Sequence, residues 1–330
     1  MLKFSLIGLT FLSVSLAFGF NAYRGELQRP LTEKARVFEI KRGDSLSRVA
    51  ERLRDQKLLE TTFWFKLTAF AQGVSNQLKA GEYAVGAGVT LQQLLDLLVK
   101  GSVQQHALLL VEGWNLSQVL NAVCVHPAIV KTICSQKNPE LTEVLGSSDR
   151  HPEGRFFPDT YFLTKGTTDV DFLKRAAQRM RRILAIEWQY RSKDLPLISA
   201  DEALVLASII EKETGVPDER DEISGVFIRR LQKGMLLQSD PTVIYGLGED
   251  FDGNLRSRDL LADTPYNTYV RAGLPPTPIA MPGIASIHAA LHPKYGDALY
   301  FVARGNGRHY FSATLSEHNR AVREYQLNKN

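Results

Sequence analysis

The run from Ile198 to Gly215, I-S-A-D-E-A-L-V-L-A-S-I-I-E-K-E-T-G, constrains the fold more than any other stretch of this chain. Ser199 stands three residues before Glu202, the spacing of a capping box, in which the serine oxygen takes one free backbone N–H and the glutamate another. That marks a helix start. From Ala203 to Ile210 only Ser208 is polar, so the predicted helix is buried nearly all round and other elements must pack about it. Gly215, with Pro217 just beyond, supplies the stop.

The last turn of this helix carries Glu211, Lys212 and Glu213. A period of 3.6 residues puts Glu213 on one stripe with Leu206, Ile209 and Ile210, while Glu211 points the other way. A carboxyl that ends an apolar stripe is partly desolvated and lies beside the negative end of the helix dipole. Both effects disfavour the ionised form and raise the pKa. A glutamate that keeps its proton near neutrality is what general-acid chemistry requires. The plainer alternative is that both glutamates are solvated charges at an ordinary helix end, with Glu211 paired to a neighbouring basic residue.

A length of 330 residues, 44% of them hydrophobic, accommodates two domains and a sizeable core. The formal charge of +4, from 40 basic and 36 acidic residues, includes no basic block, so nucleic acid is not a suggested partner. A mildly basic surface does suit an acidic polymer. The two cysteines, Cys124 and Cys134, form no CxxC motif. They pair in an oxidising compartment or stay as small buried hydrophobes in a reducing one.

Phe4 to Phe20 is an uncharged stretch, short for a bilayer-spanning helix, and it also fits a secretory signal with Ala17 and Gly19 before a cut. Either reading takes the rest of the chain out of the cytoplasm. Arg24, Arg29, Lys34 and Arg36 follow the span and only Lys3 precedes it, so the positive-inside count opposes that orientation. Beyond a linker, V-F-E-I-K-R-G-D-S-L-S-R-V-A-E-R-L (37–53) reads as a strand, a turn at Gly43 and a helix capped by Asp44 or Ser45. It resembles the start of a LysM glycan-binding module. A helix near 63–70, a strand over 81–85 and a helix over 91–98 complete a small unit whose role is sugar binding or structural spacing.

The segment 106–145 is expected to be mainly helical. H-P-E-G-R-F-F-P-D-T-Y-F-L (151–163) is expected to be a folded loop, because its aromatic residues need burial. Helices are predicted over 169–190, with a solvated basic face, and over 218–233. Ser239 or Asp240 is expected to cap a short helix at Pro241. P-Y-N-T-Y (265–269) and G-L-P-P-T-P-I-A-M-P-G (273–283) read as polar and proline-rich connections. A helix over 284–291, a hairpin around R-G-N-G-R and a closing helix over 316–325 follow.

No G-x-S-x-G elbow and no Gly-rich phosphate loop is present. His288 and His292 stand four apart on a predicted helix, the spacing of two metal ligands, but Ala289 occupies the place of a zinc peptidase's glutamate, and no metal or cofactor is expected. What remains is a carboxyl on an apolar helix, followed by loops rich in Tyr, Asn, Gln and Asp. That combination suits a saccharide, with aromatic faces for sugar rings, amides for hydroxyl and acetamido groups, and one protonated carboxyl for the glycosidic oxygen. A hydrolase needs a second carboxylate, roughly 5 to 9.5 Å away according to its stereochemistry. Asp240 and Asp159 are available, and each also has a bland use, as a helix cap and as a loop hydrogen-bond acceptor.

A-S-I-I-E-K-E-T (207–214), E-R-D (219–221), G-V-F-I-R-R-L (225–231), D-P-T-V-I-Y-G (240–246), Y-N-T-Y (266–269), the proline-rich 273–283 stretch and the L-Y-F-V strand together resemble the endolytic murein transglycosylases of bacteria. The resemblance extends to E-G-R-F-F-P-D-T-Y, the LysM-like unit and the amino-terminal span. It implies an α+β architecture with a cytoplasmic end at 1–3, a transmembrane anchor over 4–20 and a linker over 21–36. A small LysM-like domain over 37–105 and a larger mixed α+β catalytic domain over 106–330 follow.

The implied activity is cleavage of the MurNAc-β-1,4-GlcNAc bond within peptidoglycan strands, leaving 1,6-anhydroMurNAc ends, with Glu213 as acid and then base. Gln238, Asp240, Tyr266, Asn267 and Tyr269 are expected around the sugar, although such loop residues also hold their own backbone. Thr214 either orients the carboxyl or ends the helix. Peptidoglycan synthases, the penicillin-binding proteins, are the implied partners, and the implied location is the inner membrane with the catalytic domain in the periplasm. A catalytically silent glycan-binding or scaffold protein of the envelope is the alternative. Glu213→Gln is expected to keep the fold and abolish cleavage, and Glu211→Gln to retain most of it; equal losses in a peptidoglycan digestion assay would discredit the assignment of faces.

Overall fold

The computed structural model describes residues 15, 17–135, 141, 144, 146 and 151–327. Most of the expected span over 4–20 lies outside the described residues. Among the described residues no helix is long and apolar enough to cross a membrane. The fold is mixed α+β, and the chain divides into two compact units, one running through His106 and including Phe162–Gly166, the other comprising Ala107–Tyr161 and the residues from Thr167 on.

In the first unit, strand β1 (Arg36–Ile40) pairs antiparallel with β2 (Gly81–Val85), Phe38 opposite Tyr83. Helices α1 (Leu46–Asp55) and α2 (Phe63–Ala71) intervene, and α3 (Leu91–Lys100) follows. Ser45 is the cap of α1 and accepts from the Arg48 N–H, whereas Asp44 turns back to the Lys41 N–H and to Arg52. Phe38, Val49, Leu53, Phe65, Tyr83, Leu94 and Leu98 fill one core. The buried Tyr83 hydroxyl donates to the Lys79 carbonyl at 2.6 Å, so its polar end is satisfied.

The segment 106–145, expected to be mainly helical, is not so among its described residues. It contains strand β3 (Gln105–Leu109), a ten-residue helix α4 (Leu116–Val125), strand β4 (Ile129–Val130) and a 3-10 turn at Ile133–Ser135. The apolar run 107–111 is too short to commit to a helix, and Asn115 with Gln118 forms a capping box that starts the helix only after it. Strand β5 (Thr160–Thr164) pairs with β3, and β6 (Thr167–Thr168) pairs with β4. Cys124 and Cys134 form a disulfide. The fully buried Asp169 accepts from the N–H groups of Thr132, Cys134 and Val170, which ties the disulfide-bearing segment to the start of the long helix α5 (Asp169–Gln189).

Helix α6 (Ala200–Glu213) is the axis of this unit. Every residue from Ala203 to Ile210 is buried, and α5, α7 (Arg220–Gln232), α8 (Asp240–Leu247) and α10 (Ile284–Leu291) pack around it, α9 being the short turn Ser257–Leu261. Its first turn departs from a reciprocal capping box. Ser199 accepts from the Glu202 N–H, but the Glu202 carboxylate takes the N–H of Ile198, one residue before the cap. The hairpin β7 (Tyr300–Ala303) and β8 (His309–Ser312) and helix α11 (Leu315–Val322) complete the unit.

Two contacts fix the loops that α6 carries. Ser208, the polar residue on its buried run, donates to the Val205 carbonyl at 2.7 Å and accepts from the Ile279 N–H at 3.0 Å, anchoring the proline-rich 273–283 loop. Gly154 has φ +76°, and a Cβ there would lie 2.4 Å from Pro278, so the 151–161 loop and the proline-rich loop meet only because position 154 is glycine. Ser208→Ala is expected to leave the Ile279 N–H unpaired in the core and cost about 1–3 kcal/mol in urea unfolding; a loss below about 0.5 kcal/mol would show that this N–H has found another partner.

Candidate active site

Helix α6 ends at Glu213 because Thr214 is extended, with φ −143° and ψ 136°. The buried Thr214 hydroxyl accepts from the Val216 N–H at 3.0 Å, so of its two proposed uses the structure shows the one that ends the helix. The two glutamates of the last turn face different loops. The Glu211 carboxylate accepts from the Gly283 N–H at 2.9 Å, and Glu213 receives the Ser239 hydroxyl. Neither is an idle surface charge.

Ser239 holds the cap position of α8, yet its side chain makes no capping bond, because its hydroxyl is turned to Glu213. Glu213 keeps a partly exposed surface while its carboxyl is packed among protein atoms. Burial pushes its pKa up to about 7, with the Asp240 carboxylate adding to the rise, while the Ser239 hydroxyl and the Arg230 guanidinium pull it down. Desolvation wins because one hydroxyl and one preoccupied cation do not replace a hydration shell.

The loops 238–242 and 266–269 are joined through Thr268. Its carbonyl accepts from the Gln238 N–H and its hydroxyl oxygen from the Ser239 N–H, each at 3.0 Å, and that hydroxyl lies 2.9 Å from the hydroxyl of Thr242. Tyr269 closes the contact by donating to Asp240 at 2.5 Å. This explains why Ser239 is so firmly placed. Gln238 sits just before it with φ +52°, a left-handed conformation that a residue with a Cβ tolerates only where its surroundings hold it.

The expected sugar-binding residues therefore separate. Asp240 and Tyr269 lie together beside Glu213, and Tyr266 contributes to an adjoining cavity. Gln238 is exposed, with its backbone serving the loop junction. Asn267 is fully buried, its amide donating to the carbonyls of Asp259, Leu260 and Ala262 and its oxygen accepting from the Tyr269 N–H, so it supports the loop instead of facing a ligand. Asp159 is engaged by Arg179 and by the Thr160 N–H.

The cavity measures about 820 Å³ and is lined among others by Asn115, Gln118, His151, Glu153, Tyr245 and Tyr266. Lys212 and Pro241, the neighbours in sequence of Glu213 and Asp240, also border it. Tyr245 and Tyr266 meet edge to face with ring centroids 4.9 Å apart. Glu153 is buried at 2% exposure, where it accepts from the Leu116 N–H at the start of α4 and from the Tyr245 hydroxyl at 3.1 Å. Burial outweighs these donors and raises its pKa above the ordinary carboxylate range.

Ser239, Arg230 and Tyr245 carry no role at the site in the sequence reading. Arg230 had a signal: it stands seven residues after Ile223 and four after Val226, on the apolar stripe of α7. There it is buried and donates to the carbonyls of Leu236, Leu237 and Leu299. Ser239 had none, since a serine before Asp-Pro reads as a cap. Among the described residues the group of three side chains close enough to share a metal ion is Glu187, His288 and His292, on elements other than those that carry the acid.

The displaced pKa of Glu213 has a consequence for stability. The folded chain holds this proton up to about pH 7 and the unfolded chain loses it near pH 4.5, so the group's contribution falls as pH rises between those values. The full penalty above pH 8 is about 3 kcal/mol. Glu213→Gln is expected to unfold at a higher temperature than the native chain at pH 8.5, with the gap closing toward pH 4.5; a gap that does not change with pH would contradict the burial of the carboxyl.

The family described as YceG-like matches residues 38–324. A Bacillus subtilis protein named endolytic murein transglycosylase is 32% identical over 328 residues, covering 93% of this chain and 90% of the relative. A Streptococcus pneumoniae protein of the same name is 28% identical over 360 residues, covering 97% of this chain and 65% of its own length. A crystal structure of a YceG-like protein from Listeria monocytogenes superposes with a TM-score of 0.52 at 31% identity, over 88% of this chain and 99% of that one. With the acid-bearing helix and both loops that surround it inside the matched stretch, the chain belongs to the YceG-like family.

Proposed function

We propose that this chain is an endolytic lytic transglycosylase that cuts the MurNAc-β-1,4-GlcNAc bond inside peptidoglycan strands, with Glu213 as the reacting acid. The observation that carries the proposal is a single glutamate whose pKa is about 7, set beside a cavity of polar and aromatic side chains. The names of the Bacillus and Streptococcus relatives supply the substrate class. An opening of about 820 Å³ is of the size that takes a small saccharide.

In this reading one carboxyl carries both steps. Protonated Glu213 gives its proton to the glycosidic oxygen as the C1–O bond breaks, and positive charge develops on C1 and the ring oxygen. The resulting carboxylate then takes the proton of the muramoyl C6 hydroxyl while that oxygen bonds to C1. The acid is restored and no water is consumed, and the product is a 1,6-anhydro sugar. Ser239 holds the carboxyl in place and stabilises its ionised form between the two steps, as preorganised donors do. Asp240, held by Tyr269, lies close enough to raise the acid's pKa.

We assign the same envelope setting to the rest of the chain. The disulfide between Cys124 and Cys134 favours an oxidising compartment, and the uncharged run over 4–20 suits an anchor in the inner membrane with the catalytic unit in the periplasm. The β-α-α-β order of the first unit suits a LysM-like glycan-binding role. Peptidoglycan synthases are the proposed partners.

Digestion of purified peptidoglycan with mass analysis of the fragments tests the reaction. Anhydromuramoyl ends are expected, reducing ends would point to a hydrolase, and absence of any product would favour a binding protein. Ser239→Ala removes a donor that favours the carboxylate, so the pKa of Glu213 rises. The alkaline limb of the pH–rate profile is therefore expected to move to higher pH; an unmoved limb would detach Ser239 from the acid.

A further inference from the structure

The C-terminal end of α10 meets the C-terminal end of α5. His288 and His292 lie one helical turn apart, with their rings stacked at a centroid distance of 4.2 Å and an interplanar angle of 25°. Glu187, from the last turn of α5, puts its Oε2 2.9 Å from His288 Nδ1. One ligand atom from each of the three residues lies within 4.8 Å of the other two. The Ser192 hydroxyl stands 3.5 Å from His292 Nδ1.

We propose that Glu187, His288 and His292 bind a divalent zinc-class ion that clamps α10 to α5. Two imidazoles and a carboxylate are a borderline donor set, which selects zinc and its late first-row neighbours over magnesium or calcium. Around a tetrahedral zinc the ligand atoms stand roughly 3.3 Å apart, so the observed separations require side-chain movements of about 1 Å. His288 is about half exposed and free to make that movement. Water takes the fourth position.

Two further features favour a cation here. The two histidines sit at the carbonyl end of α10, where the helix dipole is negative. Ser192 orients the His292 ring in the manner of an outer-shell partner. The site is not a second hydrolytic centre, because Ala289 is fully buried between the two histidines, where a zinc peptidase has its base. Its effect is mechanical. An ion bridging residues that are a hundred positions apart in the chain holds together two of the helices that enclose α6.

The full chain, stripped of metal with a chelator, is titrated with zinc chloride by calorimetry. One ion per chain is expected, with affinity at least tenfold weaker in Glu187→Gln, His288→Ala and His292→Ala. Zinc should raise the melting temperature of the native chain and leave that of the His288→Ala/His292→Ala variant unmoved, while peptidoglycan cleavage by that variant persists. Cobalt in place of zinc should give the intense visible bands of a four-coordinate ion. No binding at millimolar zinc overturns the proposal, as does equal affinity in the double variant. If the variant fails to fold, diffraction at the zinc absorption edge from zinc-soaked native crystals decides: a peak between the three side chains supports the site, and none there refutes it.

Discussion

The hydroxyl of Ser239 against the carboxyl of Glu213 is the contact on which the rest of this site depends. It joins the end of a buried helix to the start of a second helix and sets the balance of forces on one proton. Desolvation drives the carboxyl toward its neutral form, and the serine, with the preoccupied Arg230, restrains it from going further. A value of about 7 lies between those pulls. An acid buried without the serine would hold its proton to higher pH, and one left in water would have lost it already.

Placing that serine takes a chain of buried polar groups. Thr268 holds the backbone on both sides of the Gln238–Ser239 peptide, Thr242 bonds to Thr268, and Asn267 spends its whole amide on the loop that carries Thr268. The side chains of Ser239, Thr242, Asn267 and Thr268 all have partners, which is the condition under which such a network specifies one geometry. The Asp240–Tyr269 bond makes the same junction from the solvent side. Y-N-T-Y and S-D-P-T thus function as one unit, although nearly thirty residues separate them in sequence.

The proline-rich loop is held by similar means. It contributes no acid or base, yet its Ile279 N–H is bonded to the one hydroxyl on the buried run of α6, and its Pro278 presses against a glycine of the 151–161 loop. That glycine follows Glu153, which reaches the start of α4 and the Tyr245 hydroxyl at the wall of the cavity. Three loops dense in Pro, Gly and aromatic residues are therefore fastened to the central helix by a few directional contacts, as a site that must position a polymer requires.

Much of this was legible in the sequence. The eight-residue apolar run with one serine fixed α6 as a buried axis, because a helix of that pattern has no face to give to water. The 3.6-residue period separated Glu213 from Glu211, because that geometry is local and needs only the residues between them. The hairpin and the helices over 169–189, 220–232 and 284–291 followed from equally local signals of period, cap and stop. Strand β3 was misread as part of a helix, since a short apolar run has no period of its own and its partner β5 lies some fifty residues on. Only the tertiary structure decided that Ser239 serves Glu213 instead of its own helix, that Asn267 turns inward, that Asp159 goes to Arg179, and that Glu187 joins two histidines a hundred residues away. A side chain's local options are written in its neighbours along the chain, but which partner it takes depends on groups that folding alone brings within hydrogen-bonding distance.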